Sequence, residues 1–413
     1  MIETRTQLRF LVLALTAAAA LCAEFLARAL DGPGLLTVLL LNPFAQFACA
    51  GPYLMYRIWE PDPARARRAG LVGGGLAIVP LAGLPLGLLG SLEAFGIALL
   101  TLGVIGLSLL LARAAGAEDR ALWRDRLVSA LYIPLAAATA PIYLWLSGFV
   151  NPVYDFYVVA FEDTLGERLP VLTVRLLEAV PALSTVSGLC YMALPLGVVA
   201  LFALQERGRG EVDILVAFAV AGLLGFSLYF VFPVIGPAAT YGDAFPNALP
   251  PVGAVRAVDF VAPIGLPRNG MPSLHTAWAL LVWMNARALA PLLRAAFGLF
   301  VAMNLLATVG LPEHWGTDLV VGAPIAVATQ ALCSTATPLL SRMRILVTAF
   351  ALTLVAAWFA ALWWGTALFQ AVPGLSWAAV LGSLAATMWL MRLQHGSAVT
   401  HAIAVPIALA RRS

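Results

Sequence analysis

Ala94–Arg113 reads AFGIALLTLGVIGLSLLLAR, with no charge until the arginine that closes it. A helix rises about 1.5 Å per residue, so about 20 such residues cross a hydrocarbon core of about 30 Å. Blocks of this length recur along the whole chain. Of 413 residues, 62% are hydrophobic and only 11% are charged, less than half of the roughly 25% typical of a soluble domain. A soluble core of this size needs charged faces between its buried ones, and they are missing. The expected fold is all-α, a polytopic integral membrane protein.

Twelve spans can be drawn. Four lie near 8–30, 35–56, 69–90 and 94–113. Six follow near 127–149, 183–204, 213–235, 273–290, 292–311 and 317–337, and two near 343–366 and 374–393. The stretch 398–410 is too short to span and is expected in the interface. Arginine placement tests the map. Arg57, Arg65, Arg67 and Arg68 follow the second span, and Arg113, Arg120, Arg124 and Arg126 the fourth. Arg207 and Arg209 follow the sixth, Arg287 and Arg294 flank the turn after the eighth, Arg342 and Arg344 follow the tenth, and Arg411 and Arg412 end the chain. All fall on the side of the N-terminus, which the positive-inside rule makes cytoplasmic.

The opposite side receives two long connections, 150–182 and 236–272. In the first, Asp155, Glu162, Asp163 and Glu167 mix with Tyr154, Phe156, Tyr157 and Phe161. This predicts an amphipathic helix near 154–168 lying on the outer surface. The second, rich in proline and glycine, reads as an ordered or partly ordered loop. No repeat relates the two halves.

Other features set limits. The chain has no lysine, so its 24 basic residues are all arginine, and lysine Schiff-base or general-base chemistry is excluded. An all-arginine set fits GC-rich bacterial coding, so the expected location is a bacterial inner membrane. The net charge of +3 says less than the placement of the arginines. Cys22, Cys49, Cys190 and Cys333 sit in apolar segments without a CxxC pair and read as small core residues. Arg5 and Arg9 before the run Phe10–Cys22 imitate a signal peptide, but Glu24 and Arg28 follow, which favours an uncleaved first helix.

Against this background RNGMPSLHTAWALL, Arg268–Leu281, is conspicuous for its polar residues. Asn269-Gly270 signals a turn, and Pro272 suits the first turn of a helix. Ser273 and His275 then sit at a helix N-terminus, whose unpaired N–H groups and partial positive charge favour an anion. Arg268 adds a planar donor fork suited to phosphate. The next polar cluster, LPEHWGTDLVVGAP, Leu311–Pro324, places His314 and Asp318 four apart on one helical face. Asp318 can hold one ring nitrogen of His314 and leave the other as nucleophile or base. Two imidazoles beside an anion site suit phosphoryl transfer through a phosphohistidine. Two histidines and an aspartate could instead hold a metal; the helix-end anion site and Arg268 favour phosphate, so no metal or other cofactor is expected. His395 and His401, near the cytoplasmic end, read as interfacial.

MPSLHTA followed by EHWGTD resembles the second and third signatures, Pro-Ser-x-His and His-x-x-x-Asp, of the type-2 phosphatidic acid phosphatase superfamily. The His-Thr and His-Trp-x-x-Asp forms are most similar to the branch of inositol phosphorylceramide and sphingomyelin synthases. YDFYVVAFEDTLG also resembles the acidic helix that often opens the core of that branch. The resemblance covers 127–340 and implies a six-helix catalytic core there, with four accessory helices in 1–126 and two helices and a short tail in 341–413. It implies His314 as nucleophile, Asp318 as its partner, His275 as general acid and base, and Ser273 as phosphate ligand. Thr276, Tyr241, Asp155 and Arg268 complete the expected substrate-binding set. The phosphatase form's first signature, Lys-x6-Arg-Pro, is absent: FPVIGPAATYGD, Phe232–Asp243, holds its place without a basic residue. The arginine six residues before the third-signature histidine is Thr308. Arg268 and Arg256 are the candidates for meeting phosphate charge.

The expected function is a membrane lipid phosphotransferase, moving a phospho-headgroup from a phospholipid donor to a lipid alcohol. The alternative is a lipid phosphate phosphatase, with water as acceptor. A secondary transporter would place ionisable groups near the midplane in both halves, whereas here they cluster at one end of two spans. A non-catalytic scaffold is a further alternative. No nucleic-acid partner is expected, and the sequence carries no signal for an oligomeric state. Both termini are expected in the cytoplasm and the histidine site on the periplasmic side. In a cysteine-free background, a cysteine placed within 236–267 should react with an impermeant thiol reagent on intact cells, and one placed beside Arg65 only after lysis. The reverse pattern would invert the topology.

Overall fold

The computed structural model describes residues 2–82, 90–116, 118–166, 168–205, 212–335, 338 and 340–410, with the side chains of 2–6, 91–92 and 395–410 left out. Glu167, Arg207, Arg209, Arg411, Arg412 and the end of the third expected span therefore lie outside the described residues. So do the side chains of Arg5, His395 and His401.

The chain is helical, and no strand occurs among the described residues. The helices are α1 (Ile2–Ala29), α2 (Leu35–Leu41), α3 (Pro43–Cys49), α4 (Gly51–Trp59), α5 (Pro63–Leu81), α6 (Ser91–Gly116) and α7 (Arg120–Ser147). Next come α8 (Asp155–Glu162), α9 (Leu169–Ala179), α10 (Pro181–Met192), α11 (Leu194–Gln205), α12 (Ile214–Tyr229) and α13 (Pro237–Tyr241). Last are α14 (Leu274–Ala286), α15 (Pro291–Gly310), α16 (Gly316–Cys333), α17 (Arg342–Ala371) and α18 (Leu375–Ala410). Among the described residues six helices are long and apolar enough to cross a membrane, or eight if two bent pairs each count as one span, against the twelve expected. Large apolar side chains such as Phe25, Leu71, Leu292 and Trp364 are exposed, as a lipid-facing surface requires. The protein is an integral membrane protein.

Part of the difference in count comes from helix breaks that hydropathy does not register, and part from short apolar helices such as α11 and α12 and from the undescribed end of the third expected span. Within the expected span 35–56, the Asn42 side chain accepts the Ala45 N–H at 3.0 Å and Pro43 opens α3. The pair there is bent by 89°. Pro181 restarts the chain after Val180, and α9 and α10 meet at 117°. Proline lacks the N–H that would continue a helix. The expected span 273–290 yields a helix of only 13 residues.

Contacts divide the chain into two compact units. One comprises Met1–Leu146, Met192–Arg209 and Ile214–Ala219, the other Ser147–Tyr191, Gly210–Asp213 and Val220–Ser413. This division is not the one read from the motifs, because α17 and α18 pack on α16 and belong to the unit that carries both histidine clusters. In the first unit, Ala23, Ala27, Val38, Ala45 and Ile142 form a core between α1, α2, α3 and α7. Arg9 pairs with Asp125 at 2.8 Å across α1 and α7.

In the second unit α16 is the most enclosed of the long helices. Met284, Val327, Ala331, Val347 and Leu390 pack α14, α17 and α18 around it. Asn285 and Gln330 exchange amide hydrogen bonds at 2.8 and 3.3 Å between α14 and α16. Both amides are thereby satisfied where a bare polar group would be costly. At the other end of α16, the Arg344 guanidinium donates to the carbonyls of Ala331 and Leu332 at 2.6 and 2.7 Å, closing orphan acceptors of the last turn.

The acidic stretch near 154–168 is not the surface helix expected. Asp155, Glu162 and Asp163 are all buried, and α8 ends at Glu162. Phe161 packs edge-on to Trp358 and Phe369 of α17, at 5.2 and 4.8 Å between ring centroids. The carboxylates turn inward because they accept hydrogen bonds from distant backbone. The loop 236–272 is ordered. Val153 and Phe260 form a two-way backbone bridge at 2.9 and 3.3 Å, and the Asn151 side chain pairs with Ala262.

The N-termini of α14 and α16 touch at backbone level. The Ser273 N–H donates to the Asp318 carbonyl at 3.1 Å. Gly322 makes room: a Cβ there would lie 2.4 Å from the Ser273 carbonyl oxygen. Gly322→Val should therefore destabilise the protein by about 1–3 kcal/mol, the usual cost of overpacking. Thermal unfolding in detergent measures this, and an unchanged Tm would show that the two helix ends separate freely.

Candidate active site

The stretch Arg268–His275 is anchored at both ends. Arg268 is fully buried. Its guanidinium donates to the carbonyls of Val150 (2.9 Å), Leu266 (2.6 Å), Gly148 (3.0 Å) and Pro263 (3.2 Å), with longer contacts to Ala262 and Asn151. These acceptors use its donors, so it pins the loop and does not present a free fork to phosphate, as the sequence led us to expect. Arg256, the other candidate, is exposed on the same loop.

Pro272 precedes the helix and does not open it; the N-cap is Ser273. The Ser273 hydroxyl oxygen accepts the Thr276 N–H at 3.2 Å and the Thr276 hydroxyl at 3.1 Å. Ser273 keeps its own proton to donate, while Thr276 is committed to the cap. His275 follows in the first turn of α14, as expected. Its ring lies flat on Tyr191 of α10, with centroids 3.8 Å apart and planes at 12°.

His314 stands one residue before the N-cap of α16, which is Trp315. Its Nδ1 lies 2.8 Å from the Gly270 carbonyl oxygen and 3.5 Å from Asp318 Oδ2. A carbonyl only accepts, so Nδ1 carries the proton and Nε2 keeps a lone pair. Asp318, expected to hold one ring nitrogen of His314, stands beside Nδ1 at the longer distance of 3.5 Å, and its Oδ2 also accepts the Trp315 N–H at 2.7 Å. The carbonyl binds because Gly270 belongs to the turn that the Arg268 anchor locks in place. The Gly270 N–H donates to Val234 at 2.8 Å. The rings of His275 and His314 face each other at 6.3 Å between centroids and 64° between planes.

The acids of α8 brace this turn. Asp155 accepts the N–H groups of Ile235 (2.9 Å) and Gly236 (2.8 Å), the Thr240 hydroxyl (2.9 Å) and the Trp315 indole N–H (3.1 Å). It is thus a structural acceptor and not the headgroup contact expected. Burial pushes its carboxyl up to about 6, against the pull of those donors. Gly236 has φ 86°, and a Cβ would lie 2.1 Å from the Glu313 carbonyl oxygen, so only glycine passes beneath the His314 turn. Glu162 accepts the Thr317 N–H at 2.7 Å and the Thr317 hydroxyl at 2.9 Å. Tyr241 stands edge-on to Trp315 at 6.2 Å between ring centroids. Its hydroxyl is buried with no partner among the described residues, and burial pushes it up to about 12, so it remains a donor.

Residues 157–332 match the PAP2 superfamily. The matched segment is under half of the chain, and it contains Ser273, His275, His314 and Asp318. It supports the superfamily and, with it, phosphatase or phosphotransferase chemistry on lipids. No curated protein and no solved structure is found to match the chain. Among the described residues no group of three or more His, Cys, Asp and Glu side chains is placed to hold a metal ion.

Sequence reading missed Tyr191 and the bracing role of Asp155 and Glu162. Tyr191 lies in an apolar helix with no local pattern to mark it. For the acids, the signal was a run of carboxylates too long to leave solvated beside so many aromatics. Asp155→Ala leaves three N–H donors without their acceptor, the Thr240 hydroxyl having the Gly236 carbonyl at 2.7 Å as another, and should cost about 3 kcal/mol or more. The loss should appear as a lower Tm in detergent; an unchanged Tm would mean that other acceptors replace the carboxylate.

Proposed function

We propose that this protein is a lipid phosphotransferase that moves a phospho-headgroup from a phospholipid to a lipid hydroxyl through a phosphohistidine on His314. The observation that carries this reading is the facing pair of imidazoles, one with Nδ1 held by Gly270 and Nε2 left as the nucleophile. Two contacts of about 3 Å on opposite sides of one phosphorus suit rings at this separation.

The reaction balances in two steps. Nε2 of His314 attacks phosphorus, the bond to the leaving lipid oxygen breaks, and His275, whose ring holds a proton once the negative phosphate is bound beside it, gives that proton to the oxygen. His275 then takes a proton from the incoming hydroxyl, whose oxygen attacks phosphorus and releases His314. Asp318 steadies the positive charge on His314 while it carries the phosphoryl group. The amides of Ser273, Thr276 and Ala277 are already bound within the fold, so the start of α14 offers phosphate its partial positive charge and the Ser273 hydroxyl, with the Tyr241 hydroxyl as a further donor toward the headgroup.

The withdrawal of Arg268 supports a diester donor. A phosphomonoester dianion calls for strong cationic coordination, whereas a diester carries one charge that the positive end of a helix and hydroxyl donors can meet. The arginine pattern supports a site on the extracytoplasmic side of a bacterial inner membrane, and the motif order supports 127–340 as the catalytic core.

The test supplies purified protein with a headgroup-labelled phospholipid and a lipid alcohol in mixed micelles. Label should appear on the alcohol. His314→Ala should abolish transfer with the protein still folded, and Asp318→Asn should lower it by about 100-fold or more. Transfer by His314→Ala would remove the nucleophile assignment. Free phosphate alone, with monoesters turned over faster than diesters, would establish hydrolysis instead.

A further inference from the structure

The acid that caps α16 from outside is a group the mechanism above does not use. Glu162 is buried at the end of α8. One carboxyl oxygen, Oε1, accepts both donors of Thr317, in the turn between His314 and Asp318. The other, Oε2, is buried with no partner among the described residues, and so is Oδ1 of Asp318. Gly316 keeps the approach open, since a Cβ there would lie 3.2 Å from Oε1.

We infer that Glu162 is a positioning residue of the transfer reaction: its Oε1 holds the first turn of α16 through both donors of Thr317, and a second negative charge set beside Asp318 would release that turn. This rests on the phosphotransferase reading of the same site.

The surroundings support the inference. Burial pushes the Glu162 carboxyl up to about 7; the Thr317 donors oppose this, and the charges of Asp318 and Asp163 add to it. Asp163 is itself paired with the Nε of Arg168 at 2.7 Å, while one terminal nitrogen of that guanidinium is buried with no partner among the described residues. From α17 the neighbours of α8 are aromatic, Trp358 and Phe369, and from α9 the nearest group at the cap is Leu169 beside Gly316. Among the described residues no cation is hydrogen-bonded to Glu162. Its ionisation would set a second buried charge against Asp318. The turn would yield, and His314 would leave the Gly270 carbonyl.

The linkage has a definite sign. The folded state raises this carboxyl from 4.5 to about 7, so its contribution to stability is full below pH 4.5 and lost as pH rises through 7.

Glu162→Gln keeps an acceptor for Thr317 and cannot ionise; Glu162→Leu removes the acceptor. We expect the wild-type kcat to fall as pH rises through about 7, and Glu162→Gln to match wild type at pH 6 but lack that fall. Glu162→Leu should lose about 10- to 100-fold in kcat with a smaller change in KM, as displaced catalytic groups do. In detergent, the Tm of wild type should drop more between pH 5 and 8 than that of Glu162→Gln. The inference is overturned if Glu162→Gln keeps the wild-type pH dependence of both rate and Tm. It is also overturned if folded Glu162→Gln is as inactive as Glu162→Leu, since the carboxyl would then do chemistry. The Tm series separates its failure from that of the phosphotransferase reading, because it needs no substrate.

Discussion

The first turn of α16 depends on three carboxyl groups. Helix N-termini leave N–H groups without intrahelical partners, and the interior of a membrane protein offers little water to meet them. Asp318 takes the Trp315 N–H from within the turn, Glu162 takes Thr317 from α8, and Asp155 takes the Trp315 indole while holding Ile235 and Gly236. With that turn fixed, the residue just before it, His314, has one direction available to its ring. The Gly270 carbonyl then settles which nitrogen carries the proton.

The same economy governs positive charge. A chain without lysine has only arginine to offer phosphate, and the one in the motif stretch is fully buried among backbone carbonyls. Arg268 closes the loop that carries Gly270 and Ser273, so its contribution to the site is indirect.

The aromatic residues serve a related purpose. Tyr191 lies flat on His275, and Tyr241 stands edge-on to Trp315. Rings of this kind restrict rotation of a histidine without adding a charge. A site that works by positioning two imidazoles gains from such rigid neighbours, since reacting atoms must be held to within fractions of an ångström.

Much of this was legible in the chain alone. Apolar blocks about 20 residues long report membrane helices because span length is a property of the bilayer. Ser273, His275, His314 and Asp318 announced themselves because each lies within a few residues of a turn signal or of each other. Local order also told where α14 and α16 begin to within a residue or two, though it put Pro272 inside the first and His314 inside the second. The tertiary structure alone decided the partners. Arg268 reaches carbonyls as distant in sequence as Gly148, Glu162 meets Thr317, and Tyr191 meets His275. Periodicity and spacing describe one helix at a time. Which buried acid finds which unpaired donor depends on how distant helices pack, and no local pattern encodes that.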